Sequence, residues 1–423
     1  MARRIPKARN GLIAALDVGS SKVCCLIARV GRDERPRVIG IGQHESRGVK
    51  AGAIIDMEAA EASILAAVHS AEQMAGETIQ SLYVNLTGGH PASSAVGVEV
   101  SIAGHAVGDG DLKRVMDEGH TVDHGKGQNG NGRQLIHSIP IGYTIDGCSG
   151  IRDPRGMFGD RLGVNIHFVT AATGPVRNLM TCIQRCHLDV DGLVVSPYAA
   201  GLSSLVEDEL SLGVTVIDMG GGTTSVAVFF EGNVIYTAVV PYGGLHVTND
   251  IARGLATPVT DAERMKVLSG HAIAVDADKR DMIDVPSVGE ERVTQPQQIP
   301  RARLVGIIRP RVEEIFEMVR DRLAESGIDA LAGHRVVLTG GACQLTGIRE
   351  LAALVLNRQV RLGRPMRVNG LAESTAGPAY ATCVGLLNYA AASNVAAPSG
   401  DRPYPGRPTG LVGRIGTWFR EHF

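Results

Sequence analysis

One short unit is written twice in this chain, and its repetition limits the possible folds more than any other feature. LDVGSSKVCCLI begins at Leu16, and IDMGGGTTSVAVF begins at Ile217. The copies align at their turns, with Asp17 matching Asp218 and Gly19 matching Gly220. Each predicts an apolar strand, an Asp near its end, a Gly/Ser turn and a second β-branched strand. The first copy reads as strands Leu12–Leu16, Val23–Val30 and Arg37–Gln43, the last two separated by the charged turn Arg32–Pro36. The second reads as Val214–Ile217, Thr224–Phe230 and Val234–Val240, with a Glu231-Gly232-Asn233 turn. A unit that recurs once, about half a chain later, implies two related α/β halves and not a solenoid array.

Composition agrees with a large soluble α/β protein. Gly occupies 53 of 423 positions, well above the usual ~7%, so many tight turns are expected. Aromatic residues are 4% with a single Trp, so the core must be aliphatic. Lys and Arg total 42 against 44 Asp and Glu; a chain so balanced is not, as a whole, a nucleic-acid binder. No run of about 18 apolar residues predicts a membrane span. The basic start, Met1–Asn10, lacks the apolar stretch of a signal peptide. Seven Cys, an odd number, fit a reducing compartment. Cys182, Cys186 and His187 have helical spacing but no second ligand pair, so they read as core thiols and not a zinc site.

Helices are predicted at Glu58–Ala75, Pro175–His187, Pro197–Leu205, Pro310–Ser326, Leu345–Leu356 and Pro378–Ala391. A capping box, Thr260-x-x-Glu263, is expected to open a helix over Asp261–Leu268. His120–Gln134 is polar and Gly/Asn-rich and reads as a loop, and residues 391–410 read as a Pro/Gly/Ser linker.

A glycine turn after a buried strand lets backbone N–H groups reach a phosphate, because no Cβ intervenes. Two such turns, each led by an Asp, could clamp a triphosphate from opposite sides, with Asp17 and Asp218 holding Mg²⁺ through waters. A third glycine turn, Leu338-Thr339-Gly340-Gly341-Ala342, follows a β-branched strand and suits the nucleoside end. There is no G-x-x-x-x-G-K-[ST] sequence, which excludes a P-loop.

These motifs resemble, in order, those of the actin/Hsp70/sugar-kinase ATPases. DVGSSK at 17–22 and DMGGGTT at 218–224 resemble the two phosphate loops, SPYAAG at 196–201 and STAGPAYATCVGLL at 374–387 the connecting helices, and VVLTGGACQLTGI at 336–348 the adenosine motif. The resemblance implies ATP and Mg²⁺ bound by Asp17, Gly19, Ser20, Ser21, Lys22, Asp218, Gly220, Gly221, Gly222, Thr223, Gly243, Gly244, Glu263, Lys266, Gly340 and Gly341. It narrows to the FtsA family of bacterial cell-division actin homologues through segments 50–76, 145–171, 239–255 and 302–319, with IRDPRGMFGDRL the most specific. This implies an actin-like two-lobed fold with duplicated ribonuclease-H-like halves and an FtsA-type inserted subdomain. The expected divisions are 10–86, 171–213 and 373–391 for the first lobe, 87–170 for the insertion, 214–256 and 333–372 for the second lobe, and 257–332 for its smaller subdomain. A linker at 392–408 and a tethered helix at 409–423 complete them. Superfamily members with clear ATPase activity place Glu before the Pro of the first connecting helix, where it can orient water. Here that position is Ser196, so ATP binding is expected and hydrolysis is weak if present.

Residues 409–423 read TGLVGRIGTWFREHF. As a helix, Leu411, Val412, Ile415, Trp418, Phe419 and Phe423 fall within an arc of about 140°, flanked by Arg414 and Arg420. At about 21 Å it is too short to span a bilayer, but it suits an anionic membrane interface. Residues 402–423 hold four Arg and one acidic residue, which favours anionic lipids. Arg301, Arg303, Arg309 and Arg311 read either as a solvated surface or as a site for an acidic peptide. The family resemblance implies the C-terminal tail of FtsZ as that peptide. It further implies self-assembly into filaments, later division membrane proteins as partners, and a place at the division site on the cytoplasmic face of the inner membrane. The alternatives left open are a sugar or acid kinase or phosphatase, and a pilus-platform actin-like ATPase.

Overall fold

The computed structural model describes residues 11–31, 35–125, 132–288, 297–329 and 331–395. The chain begins with β1 (Leu12–Val18), β2 (Lys22–Val30), β3 (Pro36–Glu45), the short β4 (Val49–Lys50) and β5 (Ala53–Ile54), α1 (Met57–Ala75) and β6 (Ser81–Leu86). Next come β7 (Ala92–Ser101), α2 (Asp109–Gly125), β8 (Arg133–Ile145), β9 (Cys148–Ile151) and β10 (Arg161–Ala172). α3 (Thr173–Arg185), β11 (Asp189–Val195), α4 (Ser196–Ser204) and α5 (Glu207–Leu212) lead to the second half. There, β12 (Val214–Met219), β13 (Thr224–Phe230) and β14 (Asn233–Val240) precede α6 (Gly244–Leu255), α7 (Val259–Ser269), β15 (Met282–Val285), β16 (Gln297–Pro300) and α8 (Arg301–Glu325). β17 (Arg335–Thr339), α9 (Ile348–Leu356), β18 (Gln359–Leu362) and α10 (Ala381–Val395) complete the described chain.

The sequence repeat is a repeat of topology. The first sheet has the order β11-β6-β1-β2-β3, and the second has β14-β13-β12-β17-β18. Read from their hairpin ends the two are the same: three antiparallel strands, then two added parallel to the first. Asp17 pairs with Cys24 and Asp218 with Ser225, each one residue before its strand ends.

Helices α4 and α10 fill the space between the sheets. Their residues share one buried cluster with Ala15, Leu26, Val216 and Phe229. Every residue of α4 is buried, so it works as an internal strut with no solvent face. The other face of the first sheet packs on α1 and α3, and that of the second on α6, α8 and α9. These faces are mainly Val, Ile, Leu and Ala, with Phe316 of α8 buried among them, in line with the scarcity of aromatics. Cys182 and Cys186 lie in the α3 core, burial pushing their thiols up to about 11 and about 12, as expected of core thiols. The excursion from β7 to β10 has its own sheet, ordered β7-β10-β8-β9, and its own core with α2.

Several local expectations shift. The helix predicted from Pro310 begins at Arg301, with Pro310 inside it. Pro310 removes one backbone donor and its ring crowds the Gly306 carbonyl, yet the helix runs through it, carried by the buried face from Leu304 to Leu323. The Thr260 capping box does not form: α7 starts at Val259, and its N-cap is Pro258 without a side-chain hydrogen bond. Residues 120–125 of the polar stretch continue α2, and 133–134 belong to β8. α10 runs to Val395, past the expected linker boundary at 392. The amphipathic segment 409–423 lies outside the described residues.

Candidate functional site

The two Asp-led turns meet between the lobes. A Cβ added to Gly222 would lie 2.5 Å from Ser20 Oγ, and one added to Gly221 would lie 2.9 Å from Ser21 Cβ. The tips therefore touch, and only glycine at 221 and 222 lets them. The opening beside them is a cavity of about 410 Å³. All the sequence-predicted nucleotide residues line it except Gly243. Gly243 sits beneath the second turn, where a Cβ would be 2.5 Å from the Gly220 carbonyl oxygen. The N–H groups of Gly244 and Leu245 donate to Gly220 O (3.0 Å) and Gly221 O (2.8 Å). That seats the N-terminus of α6 against the turn, its first N–H groups satisfied by the turn's own carbonyls.

Asp17 and Asp218 are partly buried, lining the floor of this cleft. Burial pushes the Asp17 carboxyl up to about 7, opposed by the Lys22 ammonium and reinforced by Asp218. Burial raises Asp218 to about 6, opposed by the hydroxyl of Thr382 and by Lys22. Thr382 Oγ1 donates to Asp218 Oδ2 at 2.8 Å. Two under-compensated carboxylates of hard oxygen character fit a divalent cation such as Mg²⁺. Among the described residues no group of three or more His, Cys, Asp or Glu forms a metal cage. A Mg²⁺ ion here would thus complete its shell with waters and phosphate oxygens.

At the third glycine turn, Gly340 has φ +87°, and a Cβ there would lie 2.4 Å from Asp218 Oδ1. Glu263 does not cap α7. It accepts from Lys266 Nζ at 2.7 Å and from Thr248 Oγ1, and Lys266 also donates to Gly244 O at 3.1 Å. The pair thus braces the Gly243–Gly244 segment while lining the cleft. Val267, Leu345 and Ile348 supply apolar wall.

Three polar residues at the cleft floor complete a network that no local pattern revealed. Asn85 Oδ1 accepts from the Val18 N–H at 2.7 Å, and its Nδ2 donates to Ser196 Oγ at 3.1 Å. Ser196 also bonds to Thr87 Oγ1 at 2.5 Å. The available signal was Asn85 itself, a polar residue in the otherwise apolar strand Ser81–Leu86. Of the lining residues, only Asp17, Asp218 and Glu263 are carboxylates.

The four arginines do not form one patch. With α8 starting at Arg301, about 100° per residue spreads them around the helix. Arg301 pairs with Asp278 at 2.5 Å, Arg309 with Glu313 at 2.7 Å, and Arg311 with Asp250 at 2.6 Å. Arg303 is exposed. Proximity in sequence suggested a cluster that helical geometry disperses.

Comparison with known proteins agrees with this architecture. The family described as "Cell division protein FtsA" matches residues 215–385, and the "SHS2 domain inserted in FTSA" matches residues 88–170. The chain is 44% identical to "Cell division protein FtsA" of Agrobacterium fabrum, covering 98% of this chain and 96% of the relative. It is 34% identical to that of Escherichia coli, covering 97% and 98%. Among solved structures, the "PilM-PilN type IV pilus biogenesis complex" aligns with a TM-score of 0.65 at 17% identity, covering 91% of this chain and 99% of that one. MreB5 of Spiroplasma citri, solved bound to ADP, aligns at 0.56 and 14%, covering 93% and 100%. The fold is the actin-like α/β fold carrying an SHS2 insertion, and the chain belongs to the FtsA family of cell division proteins.

Proposed function

We propose that the cleft binds ATP with Mg²⁺, and that the nucleotide-bound chain assembles into filaments tethering the FtsZ ring to the cytoplasmic face of the inner membrane. The observation that carries the nucleotide reading is the tip-to-tip meeting of two Asp-led turns, each with its Asp lining the cleft. A fold neighbour solved with ADP supports it. Phosphates would lie against the backbone N–H groups of the two turns, with Lys22 alongside. Bound Mg²⁺ would neutralise phosphate charge, while Asp17 and Asp218 orient its waters and Glu263 and Lys266 hold the nucleoside side. Hydrolysis is slow on this reading. Ser196 offers a hydroxyl, already bonded to Asn85 and Thr87, where a water-orienting carboxylate would be needed.

Membership of a cell-division family and the apolar stripe of 409–423 support the membrane role. Among the described residues no helix is long and apolar enough to cross a bilayer. A single short helix binds lipid reversibly, and a filament multiplies its avidity by orders of magnitude. ATP-driven assembly and attachment are therefore coupled. The FtsZ tail would dock on the subdomain around α8, with Arg303 the exposed candidate among its arginines, and the insertion would receive later division membrane proteins. Trp418, the single Trp, supplies the test. Its emission shifts blue on anionic vesicles, more so with Mg·ATP, and removal of 409–423 abolishes co-sedimentation. An unmoved emission with undiminished co-sedimentation of the shortened chain would overturn the tether.

A further inference from the structure

The ammonium of Lys22 does not stand free in the cleft. It lies 3.6 Å from the centroid of the Tyr380 ring, over its face. Tyr380 is not one of the residues lining the cavity; it stands behind Lys22. The ring is held through its hydroxyl by the first lobe, and the backbone leading to it is held by the second. Its hydroxyl donates to Gln43 Oε1 on β3, where Gln43 pairs with Cys24 of β2, two residues along from Lys22. Two residues before it, the Pro378 carbonyl accepts from the Gly340 N–H and the Thr339 hydroxyl, both at 3.1 Å, in the second lobe.

A lysine stem is long and flexible, and two partly buried carboxylates, Asp17 and Asp218, line the same cleft and feel its charge. Left to itself the ammonium would collapse onto them and occupy the space a divalent cation and phosphates need. An aromatic face anchored by neighbours on both sides opposes that collapse through a cation–π contact. We propose that Tyr380 is a positioning residue for Lys22, holding its ammonium in place for the phosphates of a bound nucleotide and so making affinity depend on how many phosphates the nucleotide carries. The inference rests on the nucleotide reading above. It adds a residue that has no contact with ligand of its own.

The test is equilibrium binding of ATP, ADP and AMP, each with Mg²⁺, to the full chain, Tyr380→Leu, Tyr380→Phe, Lys22→Met and Lys22→Met/Tyr380→Leu. Tyr380→Leu should weaken ATP by about tenfold and leave AMP within about twofold. Tyr380→Phe, which keeps the ring, should recover most of the loss. In the Lys22→Met background the Tyr380→Leu change should cost nothing further, because the partner of the ring is gone. A uniform loss for all three nucleotides, or a loss that persists without Lys22, assigns Tyr380 a purely structural role and overturns the inference alone. Failure of the unsubstituted chain to bind ATP overturns the nucleotide reading and the inference together.

Discussion

Gly385→Ala should damage this protein more than any other addition of a single methyl group to a helix. Gly385 lies where α10 crosses α4, the two helices between the lobes. The new methyl carbon would lie 1.7 Å from the Ala199 carbonyl oxygen and 2.3 Å from the Ala199 carbonyl carbon, whereas non-bonded carbons settle at about 3.5–4.0 Å. The colliding atoms are backbone inside a wholly buried helix, so no side chain can rotate away. α10 must instead move by more than an ångström, opening the layer that contains Leu202, Phe229, Val384 and Leu387. Overpacking costs about 1–3 kcal/mol where a core can adapt, and this site belongs at the upper end, about 3 kcal/mol. At roughly 2–4 °C per kcal/mol for a large domain, Tm falls by about 6–12 °C. The shift also pulls Thr382 from Asp218, so Mg·ATP should restore less stability to the variant than to the parent. Scanning calorimetry with and without Mg·ATP measures both effects. Gly174→Ala in α3, where nothing lies within 4 Å, is the control and should leave Tm unchanged or slightly raised. A Gly385→Ala Tm within about 1 °C of the parent would refute the rigid-crossing argument.

Gly340→Ala should reduce Mg·ATP affinity at least tenfold by calorimetric titration, because the methyl both meets Asp218 and requires a positive φ; unchanged affinity would contradict the third turn's role. Arg361→Ala should cost about 3–5 kcal/mol in urea unfolding, since Glu209, only 2% exposed, accepts from Arg361 Nε at 2.6 Å; a loss under 1 kcal/mol would refute this. From pH 7 to 5 two opposed contributions act on stability. Burial holds His137 at about 3 and His167 at about 4, so as pH falls the unfolded state takes up protons first, and together these cost about 4 kcal/mol. Asp17 and Asp218, raised to about 7 and about 6, take up protons in the folded state first and return stability. Asp17→Asn removes part of that return, so its stability should drop by about 2 kcal/mol across the same range; a flat variant would refute the balance.

The turns were legible because their chemistry is local. A strand, an Asp and two or three small residues dictate a hairpin wherever they occur, and two copies dictate two like halves. Asp17, the Gly220–Gly222 turn and the aliphatic strands therefore stood in the sequence. What surrounds them did not. Asn85 meets Ser196 across 111 positions, Thr382 meets Asp218 across 164, and Tyr380 meets Gln43 across 337. Such pairs leave no periodic trace, since each partner alone is an ordinary polar residue. The arginines of α8 show the converse. Adjacent in sequence, they read as one patch until the helix start at Arg301 turned them apart and Arg301 and Arg311 proved to be paired with carboxylates on other segments. By itself, then, the sequence determined the duplicated halves, the glycine turns and the aliphatic core, because periodicity and backbone freedom act over a few residues. Only the tertiary structure decided that the turns touch, what braces them and which charges are already satisfied, because close packing between the lobes brings together groups that are far apart along the chain.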